Sequence, residues 1–179
     1  MSGIKIKGTG RFVPKKIVTN ADLAKIVDTS DEWITSRTGI QTRHHCTTET
    51  HTDMCVGAAR QALENAGISP EEIGACVVAT FSADYLSPSA GCMLQRELGL
   101  PHDTVCFDLN AACSGFLFAI HTMECLLAAS PRKYGLVLGA EMLTRFINWE
   151  DRGTCILFGD GAGAVVVEWR EDYPSIHAV

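Results

Sequence analysis

Apolar residues along the chain fall into short, nearly continuous runs, separated by stretches with a helical period. Ile4–Thr9, Ala75–Phe81 (ACVVATF), Val105–Leu109, Tyr134–Glu141 and Ala162–Trp169 read as strands. Runs this apolar, with little polar alternation, suit strands covered on both faces. Between them lie helices with recognisable ends. Asn20 can cap a short helix, ADLAKIV. Thr29-Ser30-Asp31-Glu32 has capping-box spacing, and Gly39 can close the helix that follows. Thr52–Ala66 is helical before Gly67, Ser69-Pro70-Glu71-Glu72 opens a further short helix, and Ser89–Leu98 ends at Gly99. Strands alternating with helices predict an α/β domain: a mixed, largely parallel five-stranded sheet with helices on both faces.

One helix breaks the amphipathic pattern. From Cys113 to Ala129, Phe116, Leu117, Phe118, Ala119, Ile120, Met123, Cys125, Leu126 and Leu127 surround nearly the whole circumference. A helix apolar all round must be buried on all sides. One sheet covers one side, and the chain has few elements left to cover the rest.

Composition narrows the class. The chain has 179 residues, 46 % hydrophobic and 20 % charged, which suits one globular domain with a real core. The net charge of −6 gives no electrostatic case for nucleic acid. The opening MSGIKIKGTGRF has no apolar signal region, and no run of about 18 apolar residues would span a membrane. Eight cysteines with no CxxC pair fit a reducing compartment better than a disulfide framework, and most read as buried filler.

Four stretches carry candidate chemistry. In DLNAACSGF, residues 108–116, Cys113 stands where a strand gives way to a helix. Backbone N–H groups and the helix dipole favour an anion there, the thiolate included. Small neighbours leave room for an acyl group, although spacing alone also allows a packing cysteine. In DTSDEWITSRTGI, Trp33 and Arg37 lie four apart on one helical face, with Thr29 at its N-terminal end. They could stack on a nucleobase and pair with phosphate, or form a surface tryptophan covered by an arginine stem. GDGAGA, residues 159–164, leads into a strand rather than a helix, so it reads as a tight turn between strands and not as a phosphate loop. His44, His45, Cys46, His51 and Cys55 fit no standard zinc spacing and read as a polar, solvated stretch, so no metal is expected.

Together these stretches form a familiar set. NADLAKIVDTSDEWITSRTGIQTRH, VVATFSADYLSPSAGCMLQRELG, FDLNAACSGF and DRGTCILFGDGAGAVVVE, in this order, strongly resemble β-ketoacyl-acyl carrier protein synthase III, an initiating condensing enzyme of type II fatty acid synthesis with a thiolase-like fold. The resemblance implies that Cys113 is the nucleophile that takes an acyl group from acyl-CoA. It implies that Trp33 and Arg152 hold the CoA adenine between them, with Thr29 and Arg37 as nearby CoA contacts. It further implies malonyl-acyl carrier protein as second substrate, a cytoplasmic homodimer, and no cofactor beyond the CoA thioester substrate.

Two departures qualify it. The family has two similar halves, and its catalytic His and Asn come from the second. Residues 1–179 read as a single domain, the N-terminal half of the thiolase-like fold, and Ser175–Val179 stands where the second half would begin. The second departure is Ser87 before Pro88, where the family often has an aromatic residue, which leaves the starter acyl group open. Three alternatives stand beside this reading. A 3-hydroxy-3-methylglutaryl-CoA synthase would need a glutamate where Phe81 stands. A ketosynthase III-like acyltransferase of secondary metabolism fits the same residues. A non-catalytic module for dimerisation or carrier-protein binding would not need Cys113 together with Trp33, Arg37 and Arg152.

Overall fold

The computed structural model describes residues 2–175; the last four residues, where a second half is expected to begin, lie outside them. In chain order the strands are β1 (Gly3–Phe12), β2 (Lys16–Thr19), β3 (Thr42–His45), β4 (Ile73–Ala79), β5 (Val105–Leu109), β6 (Tyr134–Met142) and β7 (Asp160–Arg170). The helices are α1 (Asn20–Leu23), α2 (Asp31–Thr38), α3 (His51–Ala66), α4 (Ala90–Leu98), α5 (Gly115–Ala128) and α6 (Arg152–Cys155). Five strands form one sheet in the order β1-β7-β6-β4-β5. The sheet is mixed, as expected: β4 runs parallel to β5 and β6, whereas β7 is antiparallel to both β6 and β1.

The unbroken apolar runs have the expected cause. Along β4, Cys76 and Val78 face a core built with Met54, Ala58, Ala62 and Leu94 of α3 and α4. Ala75 and Val77 face the opposite core, with Ala119, Ile120, Met123 and Leu127 of α5. Side chains alternate between faces, so a strand buried on both must be apolar at every position. A third, smaller core of Val18, Leu23, Ile34, Cys155 and Ile156 joins β2, α1, α2 and α6 and packs against Trp33.

Several local expectations are corrected. Thr19, not Asn20, caps α1, because Thr19 and Asp22 satisfy each other's backbone reciprocally. Asn20 is buried instead, donating to Asp31 Oδ1 and to the carbonyl of Ile40, both at 2.8 Å. Ser30, not Thr29, caps α2 by accepting from Trp33 N at 3.1 Å. GDGAGA is not a turn, since all but its first residue lie inside β7. The histidine stretch is not solvated: His45 lies buried on β3 and His51 is buried as the first residue of α3. No group of three or more metal-binding side chains forms among the described residues.

On α5 the mismatch between sequence and surroundings is visible. One side is buried on the sheet, while Leu117 and Phe118 on the other are 69 % and 56 % exposed. No helix among the described residues is long and apolar enough to cross a membrane.

Strand β1 lies backbone to backbone against α3. A Cβ at Gly10 would sit 2.5 Å from the Ala62 nitrogen, and closer still to the Ala58 carbonyl oxygen. Neither obstacle is the movable end of a side chain. Gly10→Ala is therefore expected to cost about 1–3 kcal/mol, as overpacking does, read as a lower midpoint in urea unfolding. A midpoint equal to the parent's would show that β1 can lift off α3 without penalty.

Candidate active site

Cys113 sits between β5 and α5, in a 3-10 turn over Ala112–Ser114. It thus precedes the α-helix by two residues instead of opening it. Ala112 has φ +45°, the left-handed region. For a residue with a Cβ this conformation costs on the order of 1–3 kcal/mol and clusters at functional sites. The turn is closed by the Ser114 amide donating to the Ala111 carbonyl at 3.1 Å. Cys113 is left exposed, and Ser114 makes no side-chain cap on α5. The Gly115 amide donates to the Ala112 carbonyl, and the positive end of the α5 dipole beyond it still favours negative charge in front of the helix.

Cys113 lines a cavity of about 590 Å³ with Phe81, Glu141, Phe146, Thr154 and Phe158 among its other walls. Of these the sequence singled out only Cys113 as chemical. Glu141 carries the one carboxylate. It lies near the end of β6 and accepts from Phe81 N at 3.2 Å, from Thr80 Oγ1 at 3.3 Å and from Ser82 Oγ. Ser82 Oγ in turn accepts from Met142 N at 2.8 Å. Behind this network His51 Nε2 lies 3.1 Å from the carbonyl oxygen of Ala140 and 3.0 Å from Thr80 Oγ1. A carbonyl can only accept, so Nε2 is the nitrogen that carries hydrogen. A polar residue closing an apolar strand was the available sequence signal for Glu141, because open α/β sheets place their sites at strand carboxyl ends.

The other expected residues meet at a second point. Arg37 Cζ lies 4.7 Å, and Arg152 Cζ 4.6 Å, from the centre of the Trp33 ring. Both distances are those of cation–π contacts. Arg37 comes from the same helix. Arg152 comes from α6, whose start is fixed by Asp151: its carboxylate accepts from Gly153 N at 2.8 Å and from Thr154 Oγ1 at 2.7 Å. Arg152 Nη1 also donates to the Asp28 carbonyl at 3.1 Å. Next to Asp28, the Thr29 hydroxyl is buried without a hydrogen-bond partner. Trp33, Arg37, Arg152 and Thr29 are thus brought to one place. The closed ring–guanidinium contact leaves no room for a base between Trp33 and Arg152. Insertion would need roughly 7 Å, two stacking distances.

Helix α6 joins the two points. Its Arg152 rests on Trp33, and its Thr154 lines the Cys113 cavity. Three aromatic rings (Phe81, Phe146 and Phe158), with Leu143 and Ile147, make most of that cavity apolar. A thiol in an apolar cavity and a cationic aromatic stack, both reached by the four residues of α6, suit a molecule with a reactive apolar head and a polar, aromatic tail.

Residues 107–179 match the family model described as 3-Oxoacyl-[acyl-carrier-protein (ACP)] synthase III. Among curated relatives, the Beta-ketoacyl-[acyl-carrier-protein] synthase III of Clostridium acetobutylicum is 48 % identical over 178 residues, 99 % of this chain and 54 % of the relative. The solved structure of 3-oxoacyl-[acyl-carrier-protein] synthase III from Aquifex aeolicus superposes with a TM-score of 0.90 at 48 % identity, covering 95 % of this chain and 55 % of that one. The priming β-ketosynthase of the R1128 polyketide pathway superposes with a TM-score of 0.90 at 36 % identity, covering 96 % and 51 %. The chain spans about half the length of the relatives it matches, and its α/β fold is the thiolase-like fold of these enzymes. By sequence over nearly all its residues and by fold, it is similar to about half of a β-ketoacyl-[acyl-carrier-protein] synthase III.

Proposed function

We propose that this chain is the nucleophile-bearing part of an acyltransferase that starts fatty acid synthesis, condensing acyl-CoA with malonyl-acyl carrier protein. The single observation carrying the proposal is the sharing of α6 between the Trp33–Arg152 stack and the Cys113 cavity. In this reading CoA lies along α6, its adenine against Trp33 and its charged groups near Arg37 and Arg152. Arg152 swings off the indole to admit the base, and the Thr29 hydroxyl gains a partner.

The first half-reaction uses residues of this chain. The Cys113 sulfur attacks the thioester carbonyl, forming a carbon–sulfur bond. Negative charge gathers on the carbonyl oxygen, where backbone N–H groups at the start of α5 can meet it. The old carbon–sulfur bond then breaks and CoA leaves as its thiolate. One thioester replaces another, so the exchange is nearly balanced in energy.

The second half-reaction breaks the bond between the malonyl carbon and its carboxylate, releasing carbon dioxide. The carbanion attacks the acyl group on Cys113, forms the new carbon–carbon bond and frees the sulfur. Charge on the malonyl thioester oxygen needs positioned donors, and no residue here matches the family's His and Asn. This chain alone is therefore proposed to acylate Cys113 without completing condensation. The assembled enzyme is a cytoplasmic homodimer that uses no cofactor besides its CoA substrate. The likeness to a priming β-ketosynthase supports a second reading with the same first step, in which the product enters a polyketide pathway.

Two measurements test the first step. Limiting iodoacetamide should modify Cys113 before Cys125, which is also exposed but lies within α5. It should also precede Cys55, whose thiol is held above the usual range by burial, and Cys46, pushed up to about 12 mainly by burial and then by Asp160. Equal labelling of Cys113 and Cys125 would remove the case for a special sulfur. In the second measurement, acetyl-CoA should add one acetyl mass to the Cys113 peptide and none to a Cys113→Ala chain. Arg152→Ala should raise the CoA dissociation constant on the order of tenfold, equivalent to about 1.4 kcal/mol. An unchanged constant in both Arg152→Ala and Arg37→Ala would break the CoA assignment.

A further inference from the structure

Arg43 on β3 is only 5 % exposed, and no step above uses it. Its guanidinium is a buried cation that meets neutral partners. Nη1 donates to Asn20 Oδ1 at 2.7 Å, Nη2 donates to the Ile156 carbonyl at 2.5 Å, and Nε has no partner. A buried charge held by neutral acceptors is a costly way to stabilise a fold. The two segments that its arms reach give the reason for it. We propose that Arg43 is a positioning residue for CoA: with Asn20 it fixes α6 opposite α2, and so sets where Arg152 stands relative to Trp33. The inference deepens the condensing-enzyme reading and rests on its CoA assignment.

One arm holds α6. Ile156 is the C-cap of this helix, so the bond from Nη2 fixes its C-terminal end. Asp151 fixes the start through Gly153 N and Thr154 Oγ1, but does so from within the same segment. The other arm holds α2 through Asn20. The Asn20 oxygen is taken by Arg43. Its Nδ2 donates to Asp31 Oδ1, at the first residue of α2, and to the Ile40 carbonyl, just past Gly39, both at 2.8 Å. Asn20 thus grips both ends of the helix that carries Trp33 and Arg37. A continuous hydrogen-bonded path runs from the end of α6 through Arg43 and Asn20 to α2.

Packing alone would not set this spacing. Val18, Leu23, Ile34, Cys155 and Ile156 form the apolar core between these elements. Apolar contact is non-directional, so a four-residue helix could slide or turn on it. Hydrogen bonds from a planar guanidinium are directional and leave it as a fixed fork. Arg152 is the residue such a slide would displace, since its Cζ lies 4.6 Å from the Trp33 ring centre. A base entering between Trp33 and Arg152 separates that contact. The Arg43 path passes through neither residue, so it persists when the base is in place and keeps Arg152 within reach.

The test measures CoA binding by the 179-residue chain in a double-mutant cycle of Arg43→Met and Arg152→Ala. If Arg43 acts by placing Arg152, its substitution matters only where Arg152 is present. Arg43→Met is expected to raise the CoA dissociation constant on the order of tenfold in the parent and less than about twofold in Arg152→Ala. An unchanged constant in Arg43→Met, or an equal rise in both backgrounds, would overturn the inference. Should Arg43→Met not fold, Asn20→Asp carries the same test, because it keeps an acceptor for Arg43 and loses the donors to α2. Fluorotryptophan labelling supplies a readout that needs no CoA. The Trp33 fluorine signal, assigned with Trp33→Phe, should move in Arg43→Met and Asn20→Asp, while the signal of Trp169 on β7 stays in place. A parent chain that shows this shift but binds no CoA would support the clamp and overturn the CoA assignment. A Trp33 signal at the parent's position in both variants would overturn the clamp.

Discussion

The site depends on how the carboxyl ends of β4 and β6 are locked together. Both strands are buried on two faces and paired in parallel, so their interiors cannot shift. Their ends could still splay, because a strand that leaves a sheet has unpaired backbone groups. The Glu141 carboxylate prevents this by accepting from Phe81 N, Thr80 Oγ1 and Ser82 Oγ, while Ser82 accepts from Met142 N. Cross-strand pairing continues past the sheet through side chains. Phe81, Cys113 and Phe146, which leave three neighbouring strands, consequently share one cavity.

The parts of this arrangement legible in the sequence are those set by local or periodic physics. β4 and β6 were readable because two-sided burial forces unbroken apolar runs. The ends of α2, α3 and α4 were readable because Gly39, Gly67 and Gly99 adopt the left-handed conformation that closes a helix. The hairpin of β2 and β3 was not, since four-residue strands such as Thr42-Arg43-His44-His45 are too short and polar to show a period. The start of β7 was hidden by its glycines. Asp160 fixes it instead, by accepting from the amides of Cys46 and Thr144 and from the Thr144 hydroxyl, contacts that no local rule reveals. In the site, Cys113 was legible from the strand-to-helix junction. Phe81 and Phe146 were not, because 65 residues separate them in the chain and only the sheet order makes them neighbours.

The closed contact between Trp33 and Arg152 bears on how a ligand could enter. Two guanidinium groups sit against one indole, each such contact worth about 0.5–1 kcal/mol at an exposed site. A base stacking on Trp33 must displace at least one of them and offer comparable surface in return. Arg37 rises from the same helix as the indole and has no side-chain hydrogen bond among the described residues, whereas Arg152 reaches the ring from a separate four-residue helix and also donates to the Asp28 carbonyl. A base that took the place of Arg152 would have to compensate for that hydrogen bond as well as for the ring contact.

Strain and exposure meet at Cys113. The left-handed Ala112 costs free energy that a relaxed turn would not, and it persists because both neighbours are fixed. Behind it, β5 is anchored by Asp108, whose carboxylate accepts from the first two amides of α4 at 2.8 Å. Ahead of it, α5 is pinned to the sheet by Ala119, Ile120, Met123 and Leu127. A shift that relaxed Ala112 would have to pull one of these elements out of its core. The sulfur is therefore held at the mouth of the cavity by packing at a distance, not by bonds of its own. A side chain placed this way keeps its hydrogen-bonding capacity and its approach from the cavity free.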